Sequence, residues 1–201
     1  MPLPGFVVRQ LAKPAGILGR IILWRLNKAN HNMNAMTLDA LAIEDRDRLL
    51  EIGFGGGALL EGMLRRGPES VAGVEISDVA LARAQRRLAH AVASGKLELV
   101  AIEHENLPFN PGTFSKVCCV NVVYFWDDLS AMLSEVHRVL QAEGRFVLCY
   151  QQSGPNDRRT PPDRVERSLE DAGFEILATH SEHDKHNGDY FCTTAQKSLP
   201  E

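Results

Sequence analysis

The strongest constraint on the fold is an alternation of strand-like and helix-like segments that runs from about residue 48 to residue 197. The strand-like segments are short apolar runs bounded by glycine or polar turns, and most are separated by a helical pattern. This alternation predicts an α/β fold with a doubly wound, mostly parallel seven-stranded sheet and helices on both faces. The predicted strands are residues 49–52, 71–74, 97–102, 114–120, 145–150, 174–180 and 190–197.

The connections between the strands refine this prediction. The last two strands are joined by a polar turn and not by a helix, so the last strand is predicted to be antiparallel. Ser77 suits the N-cap of the second predicted helix, and Gly144 is expected to stop the third. The predicted helices are residues 58–66, 78–95, 129–140 and 165–172.

The first 40 residues differ in character from the rest of the chain. Five basic residues and no acidic residue precede Asp39, and a largely apolar run extends from Ile17 to Leu26. This pattern predicts a basic, apolar helix. We therefore divide the chain into an N-terminal helical segment, residues 1–40, and an α/β domain, residues 41–201.

The composition is that of a globular protein, with 44% hydrophobic and 24% charged residues among 201. The formal net charge of -4 argues against nucleic acid as the main partner, because phosphate binding needs a basic surface. No apolar run reaches the roughly 18 residues that span a bilayer, and the N-terminus has no secretory signal pattern. The four cysteines have no CxxC spacing. We expect a cytoplasmic protein with reduced, mostly buried thiols.

The central motif is the glycine-rich turn at residues 51–58, Glu-Ile-Gly-Phe-Gly-Gly-Gly-Ala, between the first strand and the first helix of the domain. Glycines permit a tight turn and let backbone N–H groups approach a ligand. In open α/β sheets such turns lie at the carboxyl ends of the strands, where ligands bind. Gly53, Gly55 and Ala58 also satisfy a dinucleotide-binding pattern, and Glu75 lies where a ribose-binding acid is expected in either case.

Glu51 favours one of these two ligands. A carboxylate beside the turn would attract an ammonium or sulfonium group and repel a pyrophosphate. S-adenosylmethionine carries both cationic groups, whereas a nicotinamide dinucleotide carries the pyrophosphate. Glu51 therefore favours S-adenosylmethionine. Two alternatives remain: a dinucleotide-dependent oxidoreductase, and a non-catalytic module that binds S-adenosylmethionine.

Several motifs further along the chain make the sequence resemble the class I S-adenosylmethionine-dependent methyltransferases. The resemblance is greatest to the small-molecule branch that includes ubiquinone- and menaquinone-pathway C-methyltransferases, and it covers about half the chain, from Leu49 to Tyr150. It implies an enzyme that methylates a small molecule, for example a lipid or a quinone. The motifs are residues 50–57, Glu75, residues 103–109 with 112–114, residues 121–127 and residues 135–140.

The resemblance implies a set of cofactor-binding residues. In it, Glu51 lies near the amino group, the three alternate glycines beside the methionine and ribose, and Glu75 on the ribose hydroxyls. Glu103 stands where the family usually has Asp, beside the adenine amino group, and Phe54 is expected to narrow the site. The implied residues are Glu51, Gly53, Gly55, Gly57, Glu75, Ile76, Glu103, His104 and Asn121.

No catalytic residue follows from the sequence, because methyl transfer from a sulfonium needs alignment more than acid catalysis. His31 and Tyr124 are the candidates for a base or a positioning group near the acceptor. Phe125, Trp126, Gln151 and Gln152 also lie on the acceptor side, although Trp126 also fits a core position.

The N-terminal segment is predicted to act as a lid over the cofactor and the acceptor. An alternative is contact with a membrane surface through Arg20, Arg25 and Lys28.

A cluster near the C-terminus resembles a metal site only superficially. His180, His183 and His186, with Asp184, match a solvated turn as well as a ligand set, and we expect no metal there.

Overall fold

The computed structural model describes residues 30–103, 106–152, 161–184 and 188–198. The basic N-terminal helix and its membrane contact, the adenine contact of His104 and the position of His186 fall on other parts of the chain. They remain predictions.

The described helices and strands follow the predicted order. The helices are α1 His31–Leu41, α2 Ala58–Arg65, α3 Asp78–Arg87, α4 Ala89–Ala93, α5 Leu129–Val139 and α6 Pro162–Asp171. The strands are β1 Arg48–Ile52, β2 Ser70–Glu75, β3 Leu97–Ala101, β4 Phe114–Val120, β5 Leu140–Gln151, β6 Phe174–Asp184 and β7 Gly188–Lys197. A 3-10 turn at Val123–Phe125 follows β4.

Within the described residues one seven-stranded sheet has the order β3-β2-β1-β4-β5-β7-β6. The pairs from β3 to β5 are parallel, and β7 is antiparallel to both β5 and β6. The doubly wound sheet with an antiparallel last strand is therefore confirmed. From β1 the chain adds β2 and β3 on one side of the sheet and then crosses back to add β4 on the other side of β1. Ligands bind in open α/β sheets at the carboxyl ends of two such strands, here β1 and β4.

Successive apolar residues along the strands point to opposite faces of the sheet and form two cores, one on each face. In β4, Val117 and Cys119 face the core beneath α5 and α6, whereas Cys118 and Val120 face the core beneath α1, α2 and α3. This period of two is what a strand buried on both faces requires. The predicted helices on both faces are confirmed, and all four cysteines are buried free thiols.

Helix α1 lies across one face of the sheet from its carboxyl edge to its amino edge. Near the end of the helix, the Ala40 carbonyl accepts from Arg145 (2.9 Å) and the Ala42 carbonyl from Lys116 (2.7 Å). At its start, the Asn30 Oδ1 accepts from Nδ2 of Asn121 at the end of β4 (2.9 Å). Helix α1 therefore begins at the carboxyl edge.

Several predicted boundaries were wrong. The helix expected to run to Gly95 breaks at Leu88, whose φ of -112° and ψ of 23° leave the helical region. The third helix ends at Val139 because Leu140 is extended (φ -74°, ψ 140°), so Gly144 lies within β5 and does not stop the helix. Strand β6 continues to Asp184 because its partner β7 extends back to Gly188.

A buried ion pair at the amino edge of the sheet holds β1 and β4 together. Asp47 pairs with Lys116 and accepts from the Ser115 hydroxyl (2.8 Å) and the Glu44 N–H (2.7 Å). Burial alone would raise the pKa of Asp47, but these hydrogen bonds and the Lys116 charge lower it below 3.8. Both ends of the interaction are mostly buried, with side-chain exposures of 13% for Lys116 and 10% for Asp47.

Replacing Asp47 by alanine is expected to lower the free energy of unfolding at pH 7 by roughly 2–3 kcal/mol, because Lys116 is left without its carboxylate. The folded pKa is depressed, so the Asp47 contribution is present above 3.8 and is lost as the pH falls through the folded value. Urea unfolding at pH 7 and pH 3 measures both effects. Asp163→Ala, which removes a highly exposed partner of Arg167, is the control and should change stability by less than about 0.5 kcal/mol. Equal losses in the two variants would contradict the prediction.

Candidate active site

The glycine turn after β1 packs directly on the segment that follows β4. Gly53 has a φ of +73°, and a Cβ built on it would lie 2.3 Å from Cγ1 of Val122. Any larger residue would therefore clash and be strained at this position. The Gly53 N–H also donates to the Val74 carbonyl (2.8 Å), so the turn is fastened to β2 as well.

Glu75, the last residue of β2, holds the turn through its carboxylate. Its Oε2 accepts from the Gly55 N–H (2.8 Å), and its Oε1 accepts from the N–H groups of Ile76 (2.9 Å) and Ser77 (3.0 Å). Burial raises the pKa of Glu75, and these three N–H groups oppose that rise. A carboxylate can accept about four hydrogen bonds, so Glu75 keeps capacity for a hydroxyl donor.

Glu51 is the second buried carboxyl group at this edge. It is 4% exposed, and its Oε2 has no hydrogen-bond partner among the described residues. The pKa of Glu51 is raised to about 8, mainly by burial and also by the charge of Glu75, while a hydrogen bond with the Leu60 backbone opposes the rise. An unpaired acceptor of this kind favours a ligand that brings a donor or a positive charge.

Ile76 and Glu103, two further predicted cofactor residues, follow strands β2 and β3 at the same edge. Ile76 is half-buried directly after Glu75, and Glu103 is exposed shortly after β3. The Ile102 N–H donates to the Glu75 carbonyl (3.0 Å), which ties the start of the Glu103 segment to β2. The expected narrowing of the site by Phe54 was wrong, because its ring lies in the core, where a Cβ on Gly73 would meet it at 2.6 Å.

Asn121 connects three parts of the acceptor side. It adopts a left-handed conformation (φ 57°), which Asn tolerates better than most residues. Its Oδ1 accepts from the Tyr124 hydroxyl (2.5 Å) and the Gln151 N–H (2.9 Å), while its Nδ2 donates to Asn30. The ends of β4 and β5 and the start of α1 therefore meet at one side chain.

The two candidates for an acceptor-side base differ in their surroundings. The Tyr124 hydroxyl lies 2.9 Å from the Gln151 carbonyl and within the Asn121 network. His31 is exposed on the first residue of α1. Trp126 packs against the core beneath α5, as its spacing suggested.

The two described histidines of the C-terminal cluster lie on one strand. His180 and His183 both lie in β6, where residues three apart point to opposite faces. The Nδ1 of His183 pairs with Asp189 (2.6 Å). Among the residues that the structure describes, no group of three His, Cys, Asp or Glu side chains could hold a metal ion.

Three features of the site were not predicted from the sequence. They are the contact of Val122 with the turn, the bond between Asn30 and Asn121, and an ion pair of Glu135 with Arg138 that binds the segment after β3. Only the last had a local signal, because residues three apart on a helix share a face. The other two join residues 69 and 91 positions apart in the sequence.

The acceptors at this edge fit S-adenosylmethionine. Glu51 offers an unpaired oxygen for a cationic group, and Glu75, which already accepts from three N–H groups, keeps acceptor capacity for a ribose hydroxyl. Acidic side chains at this edge suit the anionic pyrophosphate of a dinucleotide poorly.

Comparison with known proteins decides the family. Residues 50–148 match the family described as Methyltransferase domain. YrhH of Bacillus subtilis (strain 168), which carries a methyltransferase name, is 31% identical over 127 residues, covering 62% of this chain and 68% of YrhH. The chain is a class I S-adenosylmethionine-dependent methyltransferase. Its cofactor is S-adenosylmethionine, as predicted.

Other relatives of this methyltransferase differ in length. YdaC of the same organism, an uncharacterized methyltransferase, is 26% identical over 156 residues, 74% of this chain and 82% of YdaC. The ubiquinone biosynthesis O-methyltransferase of Neisseria meningitidis serogroup A is 28% identical over 121 residues, 58% of this chain and 50% of its own. The methyltransferase thus spans about half the length of that relative.

Solved structures share the fold of this methyltransferase. A SAM-dependent methyltransferase from Aquifex aeolicus has a TM-score of 0.70 at 16% identity, covering 87% of this chain and 96% of that one. Geranyl diphosphate methyltransferase, in complex with GPP and sinefungin, has a TM-score of 0.72 at 16% identity, covering 89% and 82%. No helix in the described part of the chain is long and apolar enough to cross a bilayer.

Glu51→Gln is expected to be more stable than the unsubstituted protein, and increasingly so between pH 4.5 and 8. The folded pKa of about 8 lies above the ordinary 4.5, so the folded state binds the extra proton in this window and loses stability as the pH rises. The difference grows by at most about 1.4 kcal/mol for each pH unit. Urea unfolding at pH 5, 6, 7 and 8 measures it. Curves of unfolding free energy against pH that run parallel for the two proteins would contradict the prediction. Glu170→Gln, at an exposed position of α6, is the control.

Proposed function

We propose that this methyltransferase acts on a small, largely apolar acceptor of the quinone or lipid type. The observation that carries the proposal is the Asn121 network, which joins the ends of β4 and β5 to the start of α1 directly beside the glycine turn. Relatives named for ubiquinone biosynthesis and a structural neighbour that holds GPP support an acceptor of this class.

In this proposal the cofactor binds along the carboxyl ends of β1, β2 and β4. Glu51 receives the ammonium group, directly or through water, and Glu75 receives the ribose hydroxyls. The turn glycines lie beside the methionine and ribose, and Asn121 beside the methionine. Ile76 packs on the adenine, with Glu103 and the His104 N–H at its polar edge.

The cofactor supplies the methyl group from a sulfonium. The chain contributes alignment, because correct orientation alone is worth about 7–11 kcal/mol in favourable cases. Tyr124 and Gln151 offer a hydroxyl and a backbone carbonyl toward the acceptor side, and either suits the oxygen of a phenolic acceptor. A half-buried aromatic group such as Tyr124 would also attract a cationic sulfonium methyl group by about 0.5–2 kcal/mol.

The N-terminal segment completes the acceptor site in this proposal. Asn30 is bonded to Asn121, so the chain that precedes it joins the domain at the carboxyl edge. A basic, apolar segment attached there suits a lid that excludes water from an apolar acceptor.

Glu75→Ala is expected to weaken binding of S-adenosylhomocysteine at least about tenfold, because a charge-assisted contact is worth about 1.5–3 kcal/mol. Glu75→Gln, which keeps one acceptor oxygen, should lie between the two. Isothermal titration calorimetry measures the affinities, and circular dichroism checks the fold. Glu69→Ala, an exposed change near the start of β2, should leave binding unchanged. Unchanged affinity in a folded Glu75→Ala variant would count against the ribose contact.

Methyl transfer from labelled S-adenosylmethionine is expected to favour alkylated catechols and quinols over their unalkylated parents and over amino acids.

Removal of residues 1–28 should abolish this transfer while S-adenosylhomocysteine still binds, because the acceptor site alone loses its cover. Scintillation counting of organic extracts measures transfer. Full turnover in the truncated protein would refute the lid, and equal rates for alkylated and parent acceptors would refute the acceptor class.

A further inference from the structure

An ion pair on α5 is bound to the segment that follows β3. Glu135 and Arg138 pair through Oε1 and Nε (2.7 Å), and both side chains are largely covered, at 21% and 33% exposure. The Glu135 Oε2 also accepts from the Leu107 N–H (2.9 Å). Arg138 donates to the carbonyls of Leu107 (2.8 Å) and Phe109 (2.7 Å). The two side chains therefore hold three backbone groups of another segment.

The same segment is held at its other end by β2. The Ile102 N–H donates to the Glu75 carbonyl, and Leu107 is buried against the core beneath α5. Glu103 lies between these two attachment points and is itself exposed. A side chain beside such attachment points loses less entropy when it binds a ligand.

Glu135 and Arg138 each stabilise the charged form of the other. The side-chain bond to Arg138 is the main cause that lowers the pKa of Glu135, and the reciprocal bond raises the pKa of Arg138. The planar guanidinium can serve a carboxylate and two carbonyls at once, which an ammonium cannot do in the same geometry.

We infer that Glu135 and Arg138 are positioning residues that set the place of Glu103 for recognition of the adenine base. The inference rests on the proposed cofactor orientation and adds to it two residues that touch neither the cofactor nor the acceptor. They act through the backbone of Leu107 and Phe109. The expected signature is selectivity for the base, because the methionine and ribose contacts belong to other elements.

The test compares S-adenosylhomocysteine with S-inosylhomocysteine, which lacks the adenine amino group. The unsubstituted protein is expected to prefer the adenine compound by about tenfold or more, and Arg138→Gln to lose most of that preference. Arg138→Lys keeps the charge but not the fork, so it should recover stability more than selectivity. Calorimetric affinities of both compounds give the ratio, and amide exchange at Leu107 reports directly on the attachment.

Arg167→Gln on α6 is the matched control, because it removes an arginine from an exposed helical ion pair remote from the segment. A folded Arg138→Gln protein that keeps the full preference would overturn the inference while leaving the cofactor site intact. Failure of the unsubstituted protein to bind either compound would instead overturn the proposed cofactor orientation and the inference with it.

Discussion

The arrangement of the site depends on the hydrogen bonds that the Glu75 carboxylate accepts from Gly55, Ile76 and Ser77. These bonds join the turn after β1 to the turn after β2, at the point where ligands bind in open α/β sheets. Val122 packs on Gly53, so the segment after β4 is fixed against the same turn. Three loops from separate parts of the chain are thus set relative to one another before any ligand arrives.

This arrangement has a cost in stability. Glu51 and Glu75 are both buried, and the charge of Glu75 disfavours ionisation of Glu51. Only Glu75 has a set of N–H donors to offset desolvation, whereas one oxygen of Glu51 has no partner in the described chain. A cationic ligand would relieve both the repulsion and the missing bond, so this unfavourable feature of the free protein suits a sulfonium compound.

The sequence predicts the sheet well because each strand carries its own signal: apolar runs, bounding glycines and helical spacing between them. It does less well where tertiary packing overrides local pattern, as at Leu88, which continues the helical spacing but leaves the helix. The cofactor residues came from a resemblance in short motifs, and their roles stay predictions. The Asn30 contact and the carbonyl partners of Arg138 join distant segments, and no local pattern encodes them.

The position of β7 bears on how the polypeptide acquires its structure. Strand β6 joins the sheet only through β7, and β5 gains its second neighbour only from β7, although β7 follows both along the chain. During synthesis, an edge of β5 and all of β6 therefore wait for residues 188–197 to emerge from the ribosome. Unpaired strand edges invite intermolecular pairing, so the insertion of β7 closes an edge of β5 that other chains could otherwise pair with.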